Sequence, residues 1–158
     1  MSALPPSAAR VQEALAARGF THRIVLLDRA TRTSVEAAEA VGCTVGQIAK
    51  SLVFRRLTDG EPVLVIASGA GRVDEAKVAA ELRTEIGKAD ASYVRDATGF
   101  AIGGISPIGH RRAIETLVDR DLLAFDAIWA AGGHPNTVFR LTPAELVEMT
   151  GARVADVR

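Results

Sequence analysis

The chain predicts an α+β fold, a mixed β-sheet flanked by helices, and three observations carry that prediction. Two apolar runs, residues 50–57 and 62–68, are joined by Thr58-Asp59-Gly60-Glu61, and Asp-Gly between apolar runs marks an antiparallel hairpin. Helical and extended patterns are interleaved along the rest of the chain. The late extended runs follow one another too closely for repeated parallel crossovers, which favours a mixed sheet over a doubly wound one.

Taken in order, Ser7 is placed to cap a first helix whose Val11, Ala14 and Leu15 share one stripe and which Gly19 ends. Residues 20–27 read as a strand. Thr33 and Glu36 form a capping-box pair for a short alanine-rich helix that stops at Gly42. The hairpin follows, then the loop Ser68-Gly69-Ala70-Gly71-Arg72. Asp74 opens a helix running through Leu82, and a third short helix is expected over 92–98. Beyond the segment 103–110, residues 113–118, 127–131 and 137–141 look extended. Thr142-Pro143-Ala144-Glu145 combines an N-cap, a proline at the first helical position and a reciprocal glutamate, with Leu141 able to staple onto Leu146. Gly151 ends that helix, and 153–157 reads as a last strand.

With 158 residues and 48% hydrophobic content the chain is sized for one domain, 1–158, with a real core. Nineteen basic and nineteen acidic residues cancel, so nothing marks a bulk polyanion binder. The pairs Arg29/Arg32, Arg55/Arg56 and Arg111/Arg112 lack flanking aromatic platforms and read as solvated surface charge. A single cysteine, Cys43, excludes an internal disulfide framework and fits a reducing compartment. No signal-peptide pattern opens the chain and no apolar run is long enough to span a bilayer, so a soluble cytoplasmic protein is expected, with no membrane partner.

Two segments stand out for chemistry. Gly103-Gly104-Ile105-Ser106-Pro107-Ile108-Gly109-His110 has three glycines and a proline in eight residues, a composition that presents main-chain N–H groups, although glycine-rich turns also serve as bare connections. The second is the strand that begins at Lys50. Alternation places Lys50, Leu52 and Phe54 on one face and Ser51, Val53 and Arg55 on the other. Lys50 either snorkels to water at the strand entrance or holds its ammonium at the lip of a pocket, where it would draw a carbonyl oxygen or a phosphate.

Gly46-Gln47-Ile48-Ala49-Lys50-Ser51 lacks the glycine that a phosphate-binding P-loop places before its lysine. Gly69-Ala70-Gly71 lacks the third glycine and acidic partner of a dinucleotide fingerprint. Cys43 reads either as a small packed residue or as a nucleophile served by His22, His110 or His134. No histidine pair has metal-ligand spacing, so no metal and no cofactor are expected. An enzyme built from these residues has to work by positioning and electrostatics.

Taken together, the strand Gln47-Ile48-Ala49-Lys50-Ser51-Leu52-Val53-Phe54, the 68–72 loop, the Gly-x-x-x-Pro loop from Gly103 to Pro107 and the closing Val138-Phe139-Arg140-Leu141-Thr142-Pro143-Ala144-Glu145-Leu146 segment resemble the YbaK/EbsC family. Its members are free-standing relatives of the editing domain inserted in bacterial prolyl-tRNA synthetases. The resemblance runs through nearly the whole chain and implies a partly barrel-like mixed sheet flanked by helices. It implies hydrolysis of the ester between a wrong amino acid and the 3′ end of tRNA, chiefly proline tRNA carrying a small residue such as alanine or cysteine. Lys50 stands at the family's essential lysine. Gly103 and Pro107 stand at the ends of the loop, with Gly104, Ile105 and Ser106 between them, whose backbone cradles the terminal adenosine and the reacting ester. The nucleophile is then water or the substrate's own hydroxyl or thiol.

On the substrate-binding side the resemblance places Ser51, Ser68, Gly69 and Arg72, with His134 as a pocket neighbour. Val138 stands where some members carry a carboxylate. A prolyl-tRNA synthetase or an elongation factor is the implied partner for delivering aminoacyl-tRNA. The alternative is a non-catalytic module that holds a tRNA end, a nucleotide or a synthetase in the same pocket.

Overall fold

The computed structural model describes residues 3–158, so Met1 and Ser2, where the reading of the amino-terminus as free of a signal pattern begins, lie outside the described residues. The described residues form five α-helices and eight strands, in the order α1 (Pro6–Ala17), β1 (Val25–Leu26), α2 (Ser34–Val41), β2 (Ile48–Arg56), β3 (Pro62–Ser68), α3 (Glu75–Leu82), β4 (Ile86–Lys88), α4 (Ala91–Thr98), β5 (Glu115–Asp119), β6 (Ile128–Ala131), β7 (Thr137–Leu141), α5 (Pro143–Thr150) and β8 (Arg153–Ala155). The strands form one mixed sheet in the order β1-β7-β6-β2-β3-β5-β8, with β4 added beside β2. Pairs β2–β6, β3–β5 and β5–β8 are parallel and the others antiparallel. The path has two ends, β1 and β8, so the sheet is open and not a closed barrel.

The signals carried by neighbouring residues are realised. Thr142 accepts from the Glu145 N–H at 3.1 Å while Glu145 returns a bond to the Thr142 N–H at 2.8 Å. Thr33, Asp74 and Asp90 cap α2, α3 and α4, and Gly42, Gly99 and Gly151 end α2, α4 and α5 in the left-handed conformation that a residue without Cβ adopts freely. The β2–β3 hairpin pairs Ala49 with Ser68 through Arg55 with Pro62.

Two local expectations are corrected. Ser7 does not cap α1, because the helix already starts at Pro6, whose fixed φ suits the first helical position without a side-chain cap. Residues 20–27 do not form a full strand, since only Val25 and Leu26 join the sheet. The Gln12 side chain donates to His22 O at 2.7 Å and accepts from Ile24 N–H at 3.0 Å, so α1 satisfies backbone groups that a strand partner would otherwise take.

Both faces of the sheet are covered. On one side, Ala49, Val53, Leu64 and Ile66 pack with α1 (Val11, Leu15), α4 (Val94) and α5 (Leu146, Met149). On the other, Phe54, Val63 and Val65 pack with Val78 and Leu82 of α3, and α2 lays Ala37 and Ala38 on Ile48. Strand β3 is buried along its entire length. Its neighbour β2 is paired unevenly, and this positions the site: its free edge meets β6 only at Ile48 and Ala49 and β4 only from Phe54 to Arg56. Between those two ladders, residues 50–53 face a gap.

Candidate active site

A cavity of about 230 Å³ opens at this gap. Its floor is Ile48–Leu52 of β2, and Ile102, Gly103 and Ile105 of the glycine-rich loop form one wall. Trp129, Ala130 and Ala131 of β6 and Thr137 and Val138 of β7 form another, while Thr31–Ser34 and Ala37 close the side at the start of α2. The lining is mainly apolar, as expected of a pocket that takes a small ligand group and orients it with a few polar atoms.

Lys50 borders this cavity, and its ammonium donates to Gly71 O in the 68–72 loop at 3.1 Å. Lys50 lies in the hairpin ladder opposite Ala67 and is half-buried. Burial depresses its pKa below the ordinary lysine value, and the positive Arg158 and Arg72 push the same way, against Asp119. Ser51 Oγ is buried among the lining residues and has no hydrogen-bond partner among the described residues. An orphaned hydroxyl in an apolar wall is costly unless a ligand satisfies it.

The glycine-rich loop is held from behind. Ser106 is fully buried, its hydroxyl accepts from Ile108 N–H at 3.2 Å, and its carbonyl lies 2.7 Å from His110 Nε2. Burial lowers the His110 pKa, so the ring is neutral at physiological pH and Nε2–H donates to that carbonyl. Gly103 has φ +93°, and Gly104 lies so near the 134–135 backbone that a Cβ there would come within 2.7 Å of the His134 carbonyl carbon. The N–H groups of Gly103, Ile105 and Ser106 find no acceptor among the described residues.

The residues named from sequence therefore separate. Lys50, Ser51, Gly103, Ile105 and Val138 meet around the cavity. Gly104, Ser106 and Pro107 lie behind the loop's exposed edge, where they shape it. Ser68 is 2% exposed and its hydroxyl donates to Gly46 O at 2.7 Å, while Gly69 packs beneath Ser34, so both support the wall rather than line it. Arg72 is exposed near Lys50. His134 does not line the cavity: its Nδ1 accepts from Asn136 N–H at 3.3 Å, and the neighbouring Pro135 forms the wall instead.

Sequence reasoning missed Trp129, for which a lone tryptophan on a predicted strand was the available signal, and the Thr31–Ser34 segment, visible only as the cap of α2. Cys43 does not line the cavity but packs against the Ala37, Ala38 and Ile48 cluster beside it. Its thiol donates to Thr44 O at 3.3 Å and burial raises its pKa, which disfavours the thiolate a cysteine nucleophile needs. Among the described residues, no group of three or more His, Cys, Asp or Glu side chains is placed to hold a metal ion, and no helix is long and apolar enough to cross a membrane.

Comparison with known proteins bears on the family and the fold. The aminoacyl-tRNA editing domain matches residues 28–149. The uncharacterized protein YwhH of Bacillus subtilis is 32% identical over 127 residues, covering 80% of each chain. A candidate Cys-tRNA(Pro)/Cys-tRNA(Cys) deacylase, EbsC of Enterococcus faecalis, is 27% identical over 76% of this chain and 73% of its own. A solved structure described as a candidate trans-editing enzyme for prolyl tRNA synthetase superposes with a TM-score of 0.94 at 47% identity, covering 99% of both chains.

Proposed function

The chain belongs to the aminoacyl-tRNA editing domain family and is a deacylase, and from that premise we propose that its substrate is proline tRNA charged with a small wrong amino acid of the alanine or cysteine type. The observation that carries the reading is one small apolar cavity bordered both by a half-buried lysine and by Gly103 and Ile105, whose N–H groups have no acceptor among the described residues. The aminoacyl side chain enters the cavity, and its carbonyl faces the loop. Free N–H groups aimed at the developing oxyanion lower the barrier without needing a protein nucleophile. The ammonium of Lys50 holds the negative end of the ester or the adjoining phosphate, and attack comes from water or from the substrate's own hydroxyl or thiol.

A volume of about 230 Å³ suits a small side chain, and discrimination among such side chains is set by the walls at Val138, Trp129 and Ala130. Ser51 Oγ supports the same reading, because a polar group of the bound aminoacyl moiety would supply the partner it lacks. Balanced charge implies weak intrinsic affinity for the body of the tRNA, so delivery by a prolyl-tRNA synthetase or an elongation factor belongs to this proposal.

The test is deacylation of proline tRNA charged separately with alanine, cysteine, serine and proline, by wild type and by Lys50→Ala. Selective loss of one mischarged species with wild type only is expected. Equal turnover by Lys50→Ala would remove Lys50 from the mechanism, and no turnover of any species would point to another tRNA or to a module that only holds the tRNA end.

A further inference from the structure

Behind Lys50 lies a charge cluster that the site described so far does not use. Asp119, at the end of β5, is 1% exposed. Its Oδ2 accepts from Ser68 N–H at 3.0 Å, the first residue of the 68–72 loop, and its Oδ1 accepts from Asp121 N–H at 2.9 Å. A buried carboxylate needs a cation or further donors, and the nearby cation is Arg158, whose Nε is 3.7 Å from Asp119 Oδ2 and 3.1 Å from Asp121 Oδ2. These are charge contacts rather than aligned hydrogen bonds, since Nε and Nη1 of Arg158 are both buried without a hydrogen-bond partner among the described residues.

The guanidinium is instead pressed against the loop: a Cβ on Gly71 would lie 2.8 Å from Arg158 Nη1. Gly71 is the residue whose carbonyl receives the Lys50 ammonium. The segment carrying Arg158 is itself fixed, because Val157 is fully buried and its carbonyl accepts from Asp74 N–H at 2.7 Å. Lys77 Nζ bonds both Asp156 and the Arg158 carbonyl.

We propose that Asp119 and Arg158 are positioning residues for Lys50: the buried carboxylate ties the start of the 68–72 loop to the guanidinium, and the guanidinium wedges Gly71 at the point where its carbonyl holds the ammonium. The inference rests on the reading of Lys50 as the lysine of the active site. It explains why a closing segment more than a hundred residues from Lys50 in sequence is anchored so firmly beside it. The charged groups facing Lys50 are Arg158, Arg72 and Asp119, with Asp121 paired to Arg158. Loss of the Arg158 charge should therefore raise the Lys50 pKa, and loss of the Asp119 charge should lower it.

The chain has three lysines, so the Lys50 side chain is readily assigned by NMR in the whole protein. The experiment follows the Lys50 ¹³Cε titration, together with kcat and KM for deacylation, in wild type, Arg158→Gln, Arg158→Lys and Asp119→Asn. Arg158→Gln is expected to move the midpoint upward and to lower kcat by roughly tenfold with KM little changed, the equivalent of one weakened charge-assisted contact. Arg158→Lys should return the midpoint toward wild type, and Asp119→Asn should move it down. A merely structural role would not shift one lysine in opposite directions.

An unmoved or lowered midpoint in Arg158→Gln, or a wild-type kcat in that variant, overturns the proposal. Should Asp119→Asn fail to fold, the Arg158 variants decide alone, since that side chain lies outside the apolar core. Undiminished activity in Lys50→Ala would instead overturn the reading of Lys50, and the titration would still report whether the cluster positions it.

Discussion

Replacing Gly104 with alanine tests whether the glycine-rich loop works through its exact approach to the 134–135 segment. The added Cβ would lie 2.7 Å from His134 C, 2.8 Å from His134 Cα and 2.9 Å from Pro135 N, all backbone atoms. Ordinary carbon contacts are about 3.5–4.0 Å, so the two segments must part by about 1 Å. The far side cannot yield easily: His134 N–H donates to Thr137 Oγ1 at 3.0 Å and His134 O accepts from Thr137 N–H at 3.0 Å, which pins the turn to β7.

Overpacking of this kind costs about 1–3 kcal/mol, which corresponds to roughly 2–12 °C in Tm for a chain of this length. The displaced wall carries the Gly103 and Ile105 N–H groups, and a 1 Å misplacement of catalytic groups can cost on the order of a hundredfold in rate. Gly103→Ala is the control, since its Cβ meets nothing nearer than Pro135 Cγ at 4.0 Å and it pays only for φ +93°. That strain is worth about 1–2 kcal/mol. Thermal unfolding and single-turnover deacylation of both variants make the measurement. A Gly104→Ala protein with wild-type Tm and wild-type rate would refute the reasoning.

Three further outcomes are expected. Val138→Ala enlarges the cavity by about two methyl groups and should raise kcat/KM for tRNA bearing a larger amino acid relative to alanine by roughly 10–200-fold, measured as a ratio of two substrates; an unchanged ratio removes Val138 from the specificity wall. Ser51→Ala deletes a buried hydroxyl that has no partner among the described residues, so the free protein should gain up to about 1–2 kcal/mol by denaturant unfolding while deacylation slows; lower stability would show that the hydroxyl is already satisfied. His110 has a folded pKa below its ordinary 6.5, so the unfolded chain takes up the proton first as pH falls. Its contribution to stability is therefore complete above 6.5 and is lost as pH drops below that value. Glu145, with its carboxyl held below the ordinary 4.5 by the Thr142 N–H, loses its share only at lower pH. Tm against pH should thus decline below about 6.5 in wild type and less in His110→Gln, and parallel profiles would exclude the ring as the cause.

Much of the candidate site was legible because its signals are local. Lys50 on an apolar strand, the Gly103–Pro107 loop and Val138 were all named from sequence and all converge on or support one cavity. Locality also sets how far such a reading reaches. Ser68, Gly69 and His134 sit in segments that border the site, yet their side chains or packing contacts turn away from it, and neighbouring residues say nothing about that direction.

The caps of α2, α3 and α5, the β2–β3 hairpin, the mixed α+β class and the family could be read from the sequence, because each depends on residues a few positions apart or on a motif read in order. Tertiary structure set the gap along the outer edge of β2 over residues 50–53, since this needs the parallel β6 and the antiparallel β4 to meet that edge only at its two ends while β3 pairs the other edge throughout. It decided that α1 takes the backbone of 22–24 out of the sheet through Gln12, and that Asp119 and Arg158 gather behind Lys50. Those contacts join single residues far apart in the chain, and isolated long-range pairs leave no period or spacing in a sequence for a reader to find.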